Sequence, residues 1–558
     1  MFPIDSQGAA AKDGSKTEKL IKGTLILTIA GFVVKVIGSL NWIFVSRILG
    51  GEGIGLYQMA FPIYFLAMTV SQAGVPTAIA IITAERVALK DVYGARRVFR
   101  VAISLMFMTG LFFALLTFFG ADWLIDSGIV LDGRAKYAIQ VLSPAVFLVA
   151  MLAGSRGYLQ GWQRMTPTAV SQISEQIFRV VAMVVLAALL LPYGLPYAAA
   201  GASFGAFAGA AAGLLALVYF HWQLDRDIKR DYGEAAKVPT AEGKEPLSKL
   251  LIRMFKLALP VSAASLMLPV VSNLDLFIVP QRLGAAGFSV PQATELFGYL
   301  TGMAVPLVNL ATILTASMAV SIVPAITEAN VLKDKKGVYE QTAAAVRISN
   351  FVSFPAFIVM FILATPLATL FYNAPGAGPA VLISAVSIVF LGLHQVTTAV
   401  LQGLGHPTIP VVNMILAAVV KVILNWTLTA IPALGIMGAA WATVADMAVA
   451  ALINLYFIHH YIRYRMELGQ LFKTIVSAAV MAGVMYFSYD MSYVMLSSTV
   501  VSIFASIFLG LLIYLAVLLA LGGIEAYDLL QIPFIGRHAI RFFEKIGFFR
   551  EKGKVEDK

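Results

Sequence analysis

Of the 558 residues, 59% are hydrophobic and 13% charged, about half the charged share of an ordinary soluble domain, which excludes a water-soluble globule with a polar coat. The chain has no cysteine, which excludes disulfides, thiolate metal sites and cysteine nucleophiles. A net charge of +10 could suit nucleic acid, but its placement along the chain reads as membrane topology, and no nucleic-acid partner is expected.

The apolar residues come in long runs, such as Val181 to Leu191 and Val500 to Leu521. A helix needs ~20 predominantly apolar residues to cross the hydrocarbon, and the runs lack the period-two alternation of a barrel. The expected fold is therefore an all-α integral membrane protein. In chain order, residues 1–21 form a polar cytoplasmic N-terminal segment without the apolar core of a cleaved signal peptide. Spans are expected near 22–46, 54–84, 98–119, 136–156, 168–191, 197–220, 254–281, 294–327, 347–371, 379–402, 409–431, 436–459, 471–489 and 498–522. About fourteen helices then divide into a first lobe (22–220), a cytoplasmic linker (221–253), a second lobe (254–460) and two trailing helices (461–522). The tail, 523–558, sets Phe542, Phe543, Ile546 and Phe549 on one helical face against basic residues, as suits a helix lying in the inner interface. Pro62, Pro76, Pro269, Pro306 and Pro355 fall within spans, where proline marks bends.

Lysine and arginine stay in cytoplasmic loops. Of the 40, 33 fall in one alternate set of segments, and only Arg47, Arg134, Lys136 and Arg282 in the other. Lys35, Arg179 and Lys421 lie inside spans. Both termini are therefore expected in the cytoplasm.

An internal repeat follows from a nearly constant offset. Ser46-Arg47-Ile48-Leu49-Gly50 falls near Gln281-Arg282-Leu283-Gly284, offset 235, and Leu89-Lys90-Asp91 meets Leu332-Lys333-Asp334, offset 243. Leu159-Gln160-Gly161 meets Leu401-Gln402-Gly403, and Arg179 meets Lys421, both at offset 242. Six helices per repeat is even, so both halves enter the membrane in the same sense and a substrate path is expected between two rocking lobes.

An ionisable group at the centre of a membrane helix costs ~2.5–3.5 kcal/mol or more, so each needs a partner or a wet cavity. Lys35, midway along the first span, is a candidate contact for an anionic headgroup. Asn273 and Asp275 sit in the seventh span, its repeat counterpart, and Asp275 could pair with Lys35 in one state of a transport cycle. Glu175 and Arg179 are spaced to pair on one helix face, and Lys421 with Asp446 reads as a second structural or coupling pair. Arg47, Glu52 and Arg282 lie at outer helix ends near the glycine-rich turn GGEGIGLY, where they could line an outer mouth. That turn lacks the strand of a dinucleotide fold, and no GxxxxGK[ST] is present, so no ATP site is expected and any drive is an ion gradient or the membrane potential. No cofactor and no metal are expected: the six histidines show no ligand spacing.

SQAGVPTAIAIITAERVALKDVYGARRVFRVA (71–102), SRGYLQGWQRMTPTAVSQISEQIFRV (155–180) and NLDLFIVPQRLG (273–284) resemble segments of the stage V sporulation protein B and lipid II flippase branch of the multidrug/oligosaccharidyl-lipid/polysaccharide exporter superfamily. The resemblance spans residues 20 to 460. It implies a V-shaped pair of six-helix lobes like those of multidrug exporters, with two trailing helices beside a lipid-facing groove, in the bacterial cytoplasmic membrane. It further implies transport of an undecaprenyl-diphosphate-linked saccharide, such as lipid II for peptidoglycan, to the outer leaflet. Membrane lipids and cell-wall synthesis proteins are the implied partners, with the chain itself a monomer. The proteobacterial flippases carry a basic residue at the position of Lys35 and an aspartate at that of Asp275. They have an Arg-Asp pair where this chain has Asn41-Trp42, and two arginines where it reads FLAMTV (65–70), departures that favour the Gram-positive branch. Substrate-binding candidates are thus Lys35, Asn41, Arg47, Asn273, Asp275 and Arg282. Three other readings stay open: an exporter of another lipid-linked polysaccharide unit, a cation-coupled drug exporter of the superfamily, which should concentrate acids in its cavity, and a non-transport scaffold for cell-wall synthesis.

Overall fold

The computed structural model describes residues 6–72, 74–233 and 245–523, and among them it is helical throughout, without strands. The tail residues expected to form an interfacial helix lie outside the described residues. In order, the helices are α1 (Ser6–Gln72), α2 (Val75–Ala88), α3 (Val92–Asp126), α4 (Lys136–Gly161), α5 (Thr166–Leu190), α6 (Leu195–Tyr232), α7 (Leu247–Ser265), α8 (Met267–Ala285) and α9 (Val290–Gly298). There follow α10 (Val305–Ala311), α11 (Ile313–Val331), α12 (Lys335–Ile362), α13 (Ala364–Tyr372), α14 (Gly378–Gly403), α15 (Thr408–Leu428), α16 (Ile436–Ile462), α17 (Leu468–Leu496) and α18 (Thr499–Ala520). Twelve helical stretches among the described residues are long and apolar enough to cross a membrane.

The sequence predicts fourteen, and the difference lies in two places. Residues 29–88 count as one 60-residue stretch, about three bilayer thicknesses at 1.5 Å per residue if straight. Gly50, at φ 64°, breaks that stretch in the left-handed region that glycine alone enters freely. The predicted turn GGEGIGLY is therefore one reversing residue, and Gly51 onward is already helix. Residues 247–285, which carry Lys249, Arg253, Lys256, Asp275 and Arg282, break at Leu266 into α7 and α8. α1 begins at Ser6 and so takes in part of the polar opening. Several prolines sit where helices restart: Pro76 opens α2 and Pro306 opens α10, the first-turn position where a missing N–H costs nothing. Pro62 and Pro355 lie inside α1 and α12.

The repeat is built into the backbone. Lys90 and Lys333 both adopt positive φ, 56° and 57°. Each is followed by an aspartate whose Oδ1 accepts from a glycine N–H three residues on: Asp91 from Gly94 at 2.8 Å, Asp334 from Gly337 at 2.9 Å. These are N-caps of α3 and α12. Gly161 packs on Thr83, and its counterpart Gly403 packs on Ile326. Gln163 and Gly405 both turn at positive φ after that contact.

By packing, the chain forms two compact units, Met1–Gly298 and Tyr299–Lys558. The division comes later than the 221–253 linker because α7, α8 and α9 pack on α1 and α2. It falls where α9 passes into a π-helical turn, Tyr299–Ala304, a widened backbone often found at functional positions.

Candidate functional site

Within unit 1, α6 sets the position of α5. Gly201, Gly205 and Gly209, four apart, face α5 so closely that an added Cβ would lie 2.8, 2.7 and 2.5 Å from the carbonyls of Leu186, Arg179 and Glu175. Small residues at this spacing let membrane helices approach to backbone contact. Beside this seam, Glu175 holds two guanidinium groups: Arg179 Nη2 at 2.5 Å on its own helix and Arg156 Nη2, from α4, at 2.9 Å. Arg156 Nε also donates to Ser171 Oγ at 2.8 Å. Side-chain exposures of 17% for Arg156, 16% for Glu175 and 24% for Arg179 leave the triad half-buried.

One carboxylate against two guanidiniums leaves a positive excess. Tyr64 and Tyr57 interact electrostatically with Arg179. Those two phenols belong to a ring ladder on α1: Trp42 edge-on to Tyr57 at 5.6 Å, Tyr57 stacked on Phe61 at 5.7 Å, and Phe61 against Tyr64 at 5.8 Å. Tyr64 Oη and Arg179 Nε are buried without a hydrogen-bond partner among the described residues, and such groups are rare away from functional or hydrated positions.

Asn41, buried at 6% exposure, donates to Met183 Sδ on α5 at 3.0 Å and leaves its Oδ1 unpartnered. Two turns earlier, Lys35 is exposed rather than enclosed and makes no ion pair among the described residues, with Asp275 or with any other acid. The exposed apolar stripe of α1 runs through Ile29, Leu40 and Phe44, whereas Lys35 stands roughly 120–180° round the helix from it at 100° per residue. Lys35 shares its side of α1 with Gly38, which abuts Gln176 of α5, and with buried Leu49. It is thus open on the protein-facing side of its helix.

The other candidates fall elsewhere. Asn273, 3% exposed, donates to the carbonyls of Pro62 and Pro269, both at 2.8 Å, a tie between α8 and α1. Asp275 and Arg282 are half-buried on α8 and Arg47 is exposed on α1; all three have partners. Glu52 accepts from Arg134 Nη1 at 2.7 Å, and Arg134 reaches Asp132 with Nη2, also at 2.7 Å. Asp132 in turn accepts from Thr294 Oγ1 at 2.9 Å. Burial by itself would raise the Asp132 carboxyl, but the hydrogen bonds from Arg134 and Thr294 outweigh it and hold the group below the usual carboxylate range. Glu52 therefore belongs to a clasp joining α1, the α3–α4 connection and α9. The glycines around it serve that crossing: a Cβ at Gly55 would stand 2.0 Å from the Thr294 carbonyl and one at Gly298 2.2 Å from that of Gly51.

In unit 2, Lys421 and Asp446 are buried on α15 and α16, at 6% and 3% exposure, and both have partners. Nearby polar packing centres on Asn454, which accepts from Asn413 at 2.8 Å and donates to Thr397 and Thr398. Sequence reasoning missed Arg156, Tyr57 and Tyr64. Arg156 fell at the edge of a predicted span ending at 156, whereas α4 continues to Gly161 and carries it more than a turn inside. Among the described residues no group of three His, Asp or Glu side chains could hold a metal ion.

Long apolar helices, a tandem repeat and half-buried uncompensated charge define a helical membrane transporter. Comparison with known proteins places it more closely. Residues 20–330 match the family model described as Polysaccharide biosynthesis protein, and residues 300–427 match that of MatE. The chain is 30% identical to stage V sporulation protein B of Bacillus subtilis (strain 168), over 94% of this chain and 99% of that one. It is 26% identical to the lipid II flippase MurJ of the same organism, over 83% and 86%. A solved structure of lipid II flippase MurJ in an inward closed conformation shares the fold, with TM-score 0.65 and 14% identity over 88% of this chain and 98% of that one. The chain belongs to the polysaccharide biosynthesis protein family and is a MOP-superfamily flippase, a transporter and not an enzyme.

Proposed function

We propose that this flippase carries an undecaprenyl-diphosphate-linked saccharide, lipid II for peptidoglycan synthesis, from the inner to the outer leaflet of the bacterial cytoplasmic membrane. A diphosphate-sugar headgroup cannot enter hydrocarbon unaided, because each unsatisfied polar group costs several kcal/mol there. The observation that carries the reading is Lys35, open on the protein-facing side of α1 with no ion pair among the described residues. The Arg156–Glu175–Arg179 triad, with its one-charge excess, adds to it. These cations provide counter-charge for a diphosphate while the polyprenyl tail stays in lipid. The similarity to the lipid II flippase MurJ supports the same cargo class.

The fourteen-span count, the lobes at 22–220 and 254–460, and cytoplasmic termini are part of this proposal; the bias of basic residues supports the orientation. The two repeats would alternate access as a monomer, driven by the membrane potential or a coupled ion, with cell-wall synthesis proteins as partners. The MatE match favours drug export as a second reading, but a cationic drug needs an acid, and Glu175 is already shared by two arginines. Reconstitution into liposomes distinguishes them. Labelled lipid II should change leaflet with the wild type and at least about tenfold more slowly with Lys35→Ala, a rise of roughly 1.4 kcal/mol in the barrier. Transport of a cationic dye without movement of lipid II would overturn the reading.

A further inference from the structure

Away from Lys35 and the Arg156–Glu175–Arg179 triad, unit 1 holds a cavity of about 510 Å³ among the start of α3, the end of α4 and the last turns of α6. Its floor is a stack of rings. His221 lies 4.7 Å from Phe99 and 5.5 Å from Tyr158, near-parallel to both, and Phe99 and Tyr158 are 4.5 Å apart. His221 Nε2 is buried without a hydrogen-bond partner among the described residues. The walls carry Arg96, Arg100 and Lys229 against one acid, Asp225. Arg96 is committed to Asp225 at 2.9 Å. Arg100 and Lys229 are exposed and make no ion pair among the described residues.

Two uncommitted cations on a concave wall raise the local concentration of anions, and the cavity is of a size that holds small ligands. Its depth is marked by α6: Tyr219 and Trp222 are 58% and 57% exposed, with Arg226 4.5 Å over the Trp222 ring. Exposed aromatic residues backed by arginine are typical of the membrane–water interface. The cavity mouth therefore sits at headgroup depth, where phosphate groups are densest.

We propose that this cavity binds a phosphoryl anion, with Arg100 and Lys229 as counter-charges and the Phe99–His221–Tyr158 stack as floor. The phosphoryl group can arrive on an anionic lipid headgroup or as free phosphate; both present the same oxygens to the same cations. Neither the site nor its ligand depends on the cargo proposed above, since Lys35 and the Arg156–Glu175–Arg179 triad are not among the cavity's lining residues.

Thermal unfolding of the purified full-length protein in detergent separates the sources, with three additives titrated: short-chain phosphatidylglycerol, short-chain phosphatidylcholine and inorganic phosphate. Wild type should be stabilised by phosphatidylglycerol and not by phosphatidylcholine. The titration midpoint should rise roughly tenfold in Arg100→Gln/Lys229→Gln, as expected for two partly exposed charge contacts. Asp225→Asn, which frees Arg96 at an exposed position, should shift the midpoint the other way. Saturable stabilisation by phosphate with the same variant pattern supports the site and assigns a soluble ligand. The proposal is overturned if neither anion stabilises wild type, or if the variants respond with the wild-type midpoint.

Discussion

At the scale of single residues, the shared carboxylate of Glu175 and the clasp at Asp132 give the clearest expectations. Glu175→Gln leaves two guanidiniums half-buried without their acid. Breaking buried pairs costs ~3–5 kcal/mol; with 16–24% of each side chain exposed, roughly 2 kcal/mol is expected, read as a lowered melting temperature. Asp132 is held below the usual carboxylate range, so its contribution to stability is full above the unfolded-state value near ~3.9 and is lost as pH falls through the depressed folded value. Melting temperature followed downward from about pH 6 should therefore fall more steeply in wild type than in Asp132→Asn, which should already be less stable at neutral pH; parallel profiles would remove Asp132 from the clasp. The Glu175–Arg179 pair was legible in the sequence because its spacing is local. The third member, Arg156, and the Thr294–Asp132 bond were not, since they join residues 19 and 162 positions apart through packing that no spacing encodes.

At the scale of elements, glycine placement decides how close helices come. Gly55→Ala would drive a methyl into the Thr294 carbonyl, and overpacking of this kind costs about 1–3 kcal/mol. Gly31→Ala on α1 meets nothing within 4 Å and should leave the melting temperature unchanged. A fall at both positions alike would contradict the crossing as the cause, because helix propensity alone favours alanine over glycine at each. The repeated N-caps offer a paired test. Asp334→Ala should cost about 1 kcal/mol as a simple cap. Asp91→Ala should cost more, because Asp91 is buried and also accepts from Arg86 Nη1 at 3.3 Å. The repeat was readable beforehand because Leu-Lys-Asp is contiguous in both copies, and the aspartate's role as N-cap restricts which residues can stand there. The Gly50 reversal was read only as a longer turn, and the break at Leu266 was missed within a single span at 254–281, because hydropathy runs on through a one-residue bend.

For the whole molecule, the two copies of the repeat carry different cations in corresponding positions, Arg179 in one and Lys421 in the other. The first has its acid on the same helix, at Glu175. The account rests on Lys35 facing an aqueous crevice that accepts a diphosphate. Because the chain has no cysteine, Lys35→Cys can be labelled alone in inside-out membrane vesicles with a membrane-impermeant maleimide, beside Phe44→Cys on the exposed apolar stripe. Labelling is expected at position 35, not at 44, and should fall when lipid II is added. If position 35 stays unlabelled like position 44, or labels equally with and without lipid II, the central claim is contradicted.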